Sequence, residues 1–555
     1  MLRRLSVLVW LVTLASACAP AASPLPSSAS PAASPAASPS AASSAAAAGG
    51  GGTLVVAIGA DPGHLNPAIT TSGGTHTASE LLYNGLVGLD GDLQPVPELA
   101  ESWKVEDDGA TYRFKLREGV TWHDGTPFTA DDVKFTFEEV LLKLHSRTRA
   151  SVAPALETIE VVDPLTVVFH FKQPYAPFLQ QLDVTEAPIV ARHVYEGSDP
   201  VENPANLEPV GTGPFTFVSY SPDEEIKLAR NESYWAPGLP KLDEVIMRVM
   251  PETGSQVIAL EAGEVDWIWG VPGPDEERLD ADPEIELLRT DRNPGGSNCV
   301  MTISFNLDRP VLQDLRVRQA IAHAVDRQQF VDRVLFGQGR VAEAPISSGI
   351  PWAHGTSVPL PAFDVAAAAA LLEDAGWKAA ASGPRTASAV AGVEDGTPLK
   401  LDFLHFPAFG RYAELLRTQL AEIGVDLQLE PLEPPVFADT VFKARDFDTN
   451  IISYCNGLDP EVGVRRMFDS AQIGPVPFSN AAAYRNEEVD ALFTEALGVV
   501  DRDARGEIYR RLQDLVVADQ PYVWVVETTA VRAYRLPCQS FVPYAQFAEA
   551  ATCAP

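Results

Sequence analysis

Residues 400–429, KLDFLHFPAFGRYAELLRTQLAEIGVDLQL, contain a predicted strand, a helix and a second strand in immediate succession. Apolar residues dominate 400–406, and they recur at helical spacing in 412–423. A second apolar run, 425–429, follows directly after Gly424. Short connections between these pieces indicate a β-α-β unit, which requires a parallel or mixed sheet. The chain is therefore predicted to be an α/β protein.

Further strands are predicted toward the N-terminal side of this unit. Thr53–Ile58 is an apolar run that ends before a turn, residues 112–116 alternate apolar and polar side chains, and Thr166–Phe171 is a third strand. Residues 379–397 are rich in Ala, Gly, Ser and Thr and predict a surface loop. A length of 555 residues exceeds one ordinary core, so two or three domains are expected.

Helices are predicted mainly in the second half of the chain. Apolar residues recur at helical spacing over 317–335, with Asp314 as the N-cap and Gly337 as the stop. The same spacing predicts helices at 489–496 and 508–515.

The N-terminus has the features of an export signal. Arg3 and Arg4 precede an apolar run over 5–14, which is too short to span a membrane. The small residues before Cys18 resemble the bacterial lipobox, which predicts a signal peptide of residues 1–17 and a lipid on Cys18. The alternative is a plain cleavage site with an incidental cysteine.

The segment after Cys18 and the overall charge also limit the function. Residues 19–52 are almost entirely Ala, Ser, Pro and Gly, a composition that cannot bury enough apolar surface to fold. With Cys18 they form a predicted disordered tether of residues 18–52. The formal net charge of −34 repels nucleic acid, so no nucleic-acid partner is expected.

Four cysteines remain in the exported part of the chain. An even number in an exported protein favours disulfides, and three pairings are possible. The preferred pairs are Cys299–Cys455 and Cys538–Cys553; free buried thiols are the alternative. No CxxC pair is present, so neither a zinc site nor a redox site is predicted.

Five groups of motifs follow one another in a specific order. They are LAESW (99–103) with DGATYRFKLREG (108–119); HDGTPFTADDV (123–133); GTGPF (211–215) with RN (230–231), YW (234–235) and GEVD (263–266); FN (305–306) with DLRVRQAI (314–321) and DR (326–327); and AGW (375–377) with NEEVD (486–490). Together they resemble the bacterial extracellular solute-binding proteins of family 5, the peptide- and nickel-binding group. The resemblance extends from about Thr53 to about Glu527.

The motif residues themselves predict structure more than ligand contact. Gly211 and Gly213 permit a tight turn. Arg316 and Arg318 are expected to pair with acids on neighbouring loops.

The resemblance implies a periplasmic-binding-protein-like fold, with two α/β lobes flanking a cleft and a hinge between them. The implied first lobe covers 53–300, with an extra domain at about 90–205; the second lobe covers 301–525, and 526–555 return to the first. Such a protein encloses its ligand by closing the lobes and delivers it to the permease subunits of an ABC importer. No catalytic residue, cofactor or metal is predicted, and the lipid anchor provides contact with the membrane.

One stretch departs from the pattern of the peptide-binding relatives. Those relatives hold the ligand's amino group with an aspartate in a stretch of the form aromatic-Cys-x-Asp-x-x-acid-Pro. The matching stretch here is SYCNGLDP (453–460), which places Gly457 or Asn456 at the aspartate position and Asp459 at the later acid. A buried ammonium needs a carboxylate partner, so this departure leaves a free peptide amino terminus without its expected partner and adds weight to a neutral or sugar-like ligand.

The predicted ligand contacts come from both lobes. Residues 68–74 match the loop that lines the cleft in relatives, and 298–304 are expected to form the opposing hinge strand. Tyr454 is interpreted as either a stacking residue or a core residue, and Arg465 as either a partner for a ligand carboxylate or a solvated cation. The full set of predicted ligand-binding residues is Thr71, Ser72, Gly73, Ser304, Tyr454, Asn456, Asp459 and Arg465.

Several functions remain open at this point. An oligopeptide is the first expectation for the ligand, with an oligosaccharide, an opine-like compound or a metal chelate as alternatives. A secreted hydrolase is the rival of another class, although the sequence contains neither GxSxG nor HExxH. A sensor or adhesion lipoprotein with the same fold is a third class.

Overall fold

Two large sheets organise the chain in the computed structural model, which describes residues 51–91, 93–289, 298–542 and 546–553. The predicted signal peptide, Cys18 and residues 19–50 of the tether lie outside the described residues. Within the described ranges, no helix has both the length and the apolar character needed to cross a bilayer.

The strands are named in chain order. They are β1 (Thr53–Ile58), β2 (Val87–Leu89), β3 (Pro95–Pro97), β4 (Ala100–Glu106), β5 (Thr111–Leu116), β6 (Leu156–Asp163), β7 (Thr166–Phe171), β8 (Phe215–Ser221), β9 (Glu225–Arg230), β10 (Glu244–Val249), β11 (Trp267–Ile268), β12 (Ile285–Arg289), β13 (Cys299–Phe305), β14 (Gly339–Val341), β15 (Trp377–Lys378), β16 (Thr386–Ala387), β17 (Lys400–His405), β18 (Asp426–Pro431), β19 (Thr449–Cys455), β20 (Tyr522–Thr528), β21 (Val531–Arg535), β22 (Cys538–Gln539) and β23 (Thr552–Cys553).

The α-helices are named in the same way. They are α1 (Gly73–Ser79), α2 (Ala130–Phe135), α3 (Leu142–Leu144), α4 (Ser146–Ser151), α5 (Arg192–Tyr195), α6 (Thr253–Ala262), α7 (Gly273–Asp280), α8 (Pro310–Gln313), α9 (Leu315–Ala324), α10 (Arg327–Arg333), α11 (Val365–Asp374), α12 (Gly410–Glu422), α13 (Pro434–Ala438), α14 (Arg465–Phe468), α15 (Glu487–Leu497) and α16 (Arg502–Asp519).

The first lobe is built on a seven-stranded mixed sheet in the order β12-β21-β11-β1-β10-β9-β8. Its central strand β1 pairs in parallel with β10 and β11. A four-stranded antiparallel sheet, β4-β5-β7-β6, shares one continuous hydrophobic core with it. We use "first lobe" for these two sheets and their helices.

The second lobe is built on a six-stranded sheet in the order β14-β20-β13-β19-β17-β18. Strands β17 and β18 are parallel and joined by α12, which confirms the β-α-β unit predicted from residues 400–429. Hydrophobic cores cover this sheet on both faces, as its apolar strands require.

The chain crosses between the lobes at two places. It passes from β12 to β13 between Arg289 and Asn298, and from β20 back to β21 between Thr528 and Val531. Because β12 pairs with β21 and β13 pairs with β20, the strand ends that flank the two crossings lie next to one another. Paired connections of this kind are the geometry of a hinge.

The helix predicted over 317–335 is wrong in one respect. The structure has two helices there, α9 and α10, separated at Val325 and Asp326. Asp314 caps α9 as predicted, accepting from the Arg316 amide at 2.9 Å. Asp326 caps α10, and this second cap is what starts a new helix.

Two other local predictions also need correction. Residues 379–397 are not simply a surface loop, because β16 pairs with β15 and the buried Arg385 donates to the Trp377 and Ile423 carbonyls. Arg318 pairs with no acid through its guanidinium; it is buried and donates to four main-chain carbonyls, at Leu312, Gln313, Asp519 and Gln520. Arg316 pairs with Asp314 at the start of its own helix.

Candidate ligand-binding site

A cavity of about 690 Å³ lies between the two lobes. Its walls come from α1, the β2–β3 hairpin and residues 183–186 of the first lobe, from one end of the β13–β19 pair in the second lobe, and from the C-terminal segment. The lining residues used below are Gly73, His76, Glu80, Leu93, Glu98, Arg147, Asp183, Glu186, Tyr234, Trp235, Trp269, Asn298, Cys299, Cys455, Asn456, Leu458, Arg532 and Glu549. Volumes of this size suit a small organic ligand.

The lobes touch one another on both sides of this cavity. Near the crossings, the Gln338 side chain of the second lobe donates to the Val271 carbonyl at 2.8 Å and to Glu276 at 3.0 Å. At the far side, a Cβ placed on Gly109 would lie 2.7 Å from Val500. Leu497 of α15 packs into the hydrophobic core of the first lobe. Residues of both lobes therefore bound the cavity, and the lobes are in contact on either side of it.

One end of the cavity carries a mixed network of charges. The His76 imidazole lies 3.4 Å from the Glu80 carboxylate, which also accepts from the Thr185 hydroxyl at 3.0 Å. Burial favours a neutral ring, but the pair with Glu80 raises the pKa of His76 above its usual value. Arg147 pairs with Glu186 at 3.1 Å.

An aromatic wall continues from this network. The Arg532 guanidinium stacks 5.0 Å from the centre of the Trp269 ring, and burial lowers the pKa of Arg532 to about 10. Arg117 stacks 4.4 Å from the Trp235 ring in the same manner. These flat, partly buried rings give the cavity surfaces on which apolar or planar ligand groups can pack.

Another part of the cavity wall is acidic. The Glu98 carboxylate accepts from the side chains of Asn84 and Gln546 and from the Gly85 amide, and the Glu549 carboxylate accepts from the Tyr234 hydroxyl at 2.9 Å. Burial raises the pKa of Glu98 to about 8, with Glu549 and Asp183 adding to the shift. Burial, followed by Glu186, raises the pKa of Asp183 to about 7, and burial also raises the pKa of Glu549.

The second lobe contributes an uncharged wall. Strands β13 and β19 pair so that Cys299 faces Cys455, and a disulfide joins them. Asn298 and Asn456 flank this disulfide. The main-chain N–H of Asn456 donates to the main-chain carbonyl of Asn298 at 3.2 Å. A second disulfide, Cys538–Cys553, closes the C-terminal segment that carries Glu549.

Of the residues predicted from the sequence, Gly73 and Asn456 line the cavity. Thr71 and Ser72 are exposed beside it; the Thr71 hydroxyl bonds to that of Ser146 at 3.2 Å. Ser304 is fully buried in the middle of the six-stranded sheet, between Asn450 and Tyr522 of the neighbouring strands. The structure therefore does not place Ser304 on the ligand side of β13.

The other predicted contacts lie inside the second lobe. Tyr454 is fully buried, and its hydroxyl donates to the Ser479 carbonyl at 2.9 Å, so it is a core residue. Asp459 is buried in an ion pair with Arg505. Arg465 is held by Glu461 at 3.0 Å and by Asp469 at 2.7 Å, which satisfies its charge within the lobe.

Sequence reasoning missed most of the charged cavity residues. They are His76, Glu80, Asp90, Glu98, Arg147, Asp183, Glu186, Arg532 and Glu549. Glu98 stood next to the LAESW motif (99–103), but a single acid before an apolar residue carries no positional signal. In the described part of the chain, no cluster of three His, Cys, Asp or Glu side chains is suited to hold a metal ion.

Two hinged α/β lobes closed over a polar and aromatic cavity define a solute-binding protein. The two large sheets with helices between their strands are the α/β architecture of that class. The chain belongs to the bacterial extracellular solute-binding proteins, family 5, whose family model matches residues 94–475. It is thus an extracellular or periplasmic binding component of an ABC importer.

Individual relatives match most of the chain. Heme-binding protein A of Haemophilus influenzae is 29% identical over 501 residues, covering 86% of this chain and 87% of the relative. Oligopeptide-binding protein AppA of Bacillus subtilis is 29% identical over 489 residues, covering 86% of each. The structure of HbpA2 from Haemophilus parasuis superposes with a TM-score of 0.77 at 25% identity, covering 91% of this chain and 100% of that one.

Proposed function

We propose that the ligand is an oligopeptide, which this chain captures outside the cell and delivers to the permease subunits of an ABC importer. The observation that carries the proposal is the charge pattern of the cavity. Acids and arginines line the same enclosed space, together with aromatic faces. A zwitterionic ligand with apolar side chains complements all three features.

The alternatives fit this lining less well. An oligosaccharide or another neutral ligand would leave the carboxylates of Glu98 and Glu549 in the cavity wall without a ligand cation to match them. The relatives include proteins named for oligopeptide, glutathione and heme binding, so peptide-like ligands recur among them. The departure at Asn456 does not overturn this choice, because other carboxylates reach the cavity.

The proposal includes the parts of the chain around the cavity. The proposed lobe boundaries lie at the two crossings described above, a few residues from the 53–300, 301–525 and 526–555 expected from the sequence, with an extra domain at about 90–205 in the first lobe. Cys18 carries the lipid that anchors the chain to the outer face of the membrane. Ligand is bound and released without a change in its covalent bonds.

Native mass spectrometry of the full mature chain, as purified, tests the choice of ligand. The expected result is a bound mass in the range of a short peptide, with fragment ions of an amino-acid sequence. A series of bound masses separated by one hexose unit would overturn the proposal in favour of an oligosaccharide.

Filling the cavity is expected to remove binding without unfolding the protein. Leu458 lines the cavity on the second-lobe side, so Leu458→Trp places a larger ring where ligand would lie. Peptide affinity is expected to fall by about tenfold or more, since overpacking costs about 1–3 kcal/mol. Titration followed by tryptophan fluorescence measures this loss.

The matched control is Val476→Trp, at a side chain that is 62% exposed and does not line the cavity. Its affinity is expected to equal that of the natural chain. An unchanged affinity in Leu458→Trp would show that ligand binds elsewhere.

A further inference from the structure

Among the described residues, two carboxylates in the cavity wall have no cationic partner. Glu98 is only 6% exposed, and its carboxylate accepts from Asn84, Gln546 and the Gly85 amide. Glu549 accepts from Tyr234, whose hydroxyl also accepts from Asn84 at 3.2 Å, so the two acids belong to one hydrogen-bonded group. Throughout the described residues, no ion pair joins either acid to Lys, Arg or His.

The charged groups around these two acids do not neutralise them. Asp183, the third acid, acts on Glu98 with the same sign of charge, and its own neighbours are Glu80, Glu186 and Arg147. Arg117 is the cation beside Glu98, but it donates to the main-chain carbonyl of Glu98 and stacks on Trp235. Within the part of the chain that the structure describes, Glu98 and Glu549 thus have no cation at their carboxylates to compensate the negative charge that each carries when ionised.

Burying such a group is unfavourable unless a cation is bound there. A desolvated carboxylate without a partner takes up a proton, which is why the pKa of Glu98 lies near 8 and that of Asp183 near 7. A ligand ammonium at this position would replace those protons and form charge-assisted hydrogen bonds.

The second-lobe wall of the cavity contains side-chain amide atoms without hydrogen-bond partners among the described residues. Asn298 is only 7% exposed and lines the cavity; its Nδ2 donates to the Gly457 carbonyl at 3.3 Å, while its Oδ1 has no partner among the described residues. Neither atom of the Asn456 carboxamide has a hydrogen-bond partner within the same ranges. Neutral carboxamides satisfy amide N–H and C=O groups and give an ammonium no counter-charge.

We propose that the first lobe and the C-terminal segment bind the ligand's ammonium group, at Glu98 and Glu549, and that Asn298 and Asn456 of the second lobe bind its uncharged amide groups. This assignment rests on the proposed function, because it names the peptide amino terminus as the ammonium. The assignment places the ammonium site in the first lobe and not in the second-lobe stretch 453–460. In that stretch, the position of the aspartate that holds the amino group in peptide-binding relatives is occupied by Gly457 or Asn456.

The assignment determines how binding depends on pH. Glu98, whose pKa is raised to about 8 by burial, is largely protonated at pH 6 in this arrangement and must ionise when the ammonium binds. Binding therefore releases a proton, and affinity rises as the pH increases from 6 toward 8. Above that pH the peptide's amino terminus, whose usual pKa is about 8, loses its own proton and affinity falls. Calorimetry in two buffers of different ionisation enthalpy measures the released protons.

The deciding experiment uses the full mature chain and two probes, a tetrapeptide library with free amino termini and the same library N-acetylated. The natural chain is expected to prefer the free library by about tenfold or more, the value of one charge-assisted hydrogen bond. Glu98→Gln and Glu549→Gln are each expected to reduce that preference by about tenfold and to leave the affinity for the acetylated library unchanged.

Two further variants complete the design. Asn456→Asp is expected to leave the preference for free amino termini unchanged, because the ammonium lies elsewhere. Glu232→Gln, at a side chain that is 86% exposed, is the matched control for loss of one negative charge.

The outcomes separate the two proposals. If both libraries bind equally well, or if both glutamine variants keep the preference of the natural chain, the assignment is wrong while the proposed function stands. A large gain for free amino termini in Asn456→Asp would place the ammonium in the second lobe and also overturn the assignment. If neither library binds the natural chain, the proposed function is wrong and the assignment falls with it.

Discussion

Replacing Asp459 by alanine is expected to lower the free energy of unfolding by about 3–5 kcal/mol. Asp459 is 1% exposed and its carboxylate pairs with Arg505, which is itself 4% exposed and stacks 4.7 Å from the Trp352 ring. Removing the acid leaves a buried guanidinium without its counter-charge. Urea unfolding followed by circular dichroism measures the change.

Glu507→Ala provides the comparison, because Glu507 lies on α16, the helix that also carries Arg505. Glu507 pairs with Arg510 at the surface, where such pairs contribute at most about 1 kcal/mol. Ligand affinity of folded Asp459→Ala is expected to match that of the natural chain, since Asp459 does not line the cavity. A stable variant with lost affinity would return Asp459 to the ligand contacts predicted from the sequence.

Gly213→Ala is expected to destabilise the protein by about 3 kcal/mol. A Cβ at Gly213 would lie 2.4 Å from the Leu82 carbonyl carbon, 2.6 Å from the Leu81 oxygen and 2.6 Å from the Tyr83 nitrogen. All three are main-chain atoms, so no side chain can move aside. The GTGPF motif (211–215) is thus held by close backbone approach beside the first-lobe core, and a thermal unfolding scan measures the loss.

Gly254→Ala is the control for the same change in composition. Gly254 lies in α6 with open space around the position of a Cβ, so alanine there is expected to be neutral or stabilising by up to about 1 kcal/mol. Equal melting temperatures for Gly213→Ala and Gly254→Ala would contradict the packing argument.

The fold was predictable where the signals were local. The β-α-β unit over 400–429 needs only apolar periodicity and short connections, and the structure has it with nearly the same bounds. The split between α9 and α10 was less visible, because the Asp326 cap interrupts an apolar pattern that continues on both sides. The order of motifs identified the family, because it depends on spacing over the whole chain.

The cavity was much harder to predict because its residues are distant in sequence. Glu98, Arg147, Arg532 and Glu549 meet only after the chain has crossed the hinge twice. Tyr454, which the sequence left as either a stacking or a core residue, lies in the core for a simple geometric reason. Successive side chains of a strand point to opposite faces, so Tyr454 enters the core while its neighbour Cys455 lines the cavity. The family resemblance located the stretch 453–460, but it did not show which side chains of β19 point toward the cavity.

The disulfide between Cys299 and Cys455 has a consequence for the cost of capture. It joins neighbouring strands of the second lobe at the cavity wall, and the Asn298 and Asn456 carboxamides adjoin its two ends. This covalent link preorganises the wall, so little conformational entropy is lost when a ligand arrives. Binding energy can then be directed to moving one lobe toward the other. Reduction of the link should therefore weaken capture mainly through a faster dissociation rate.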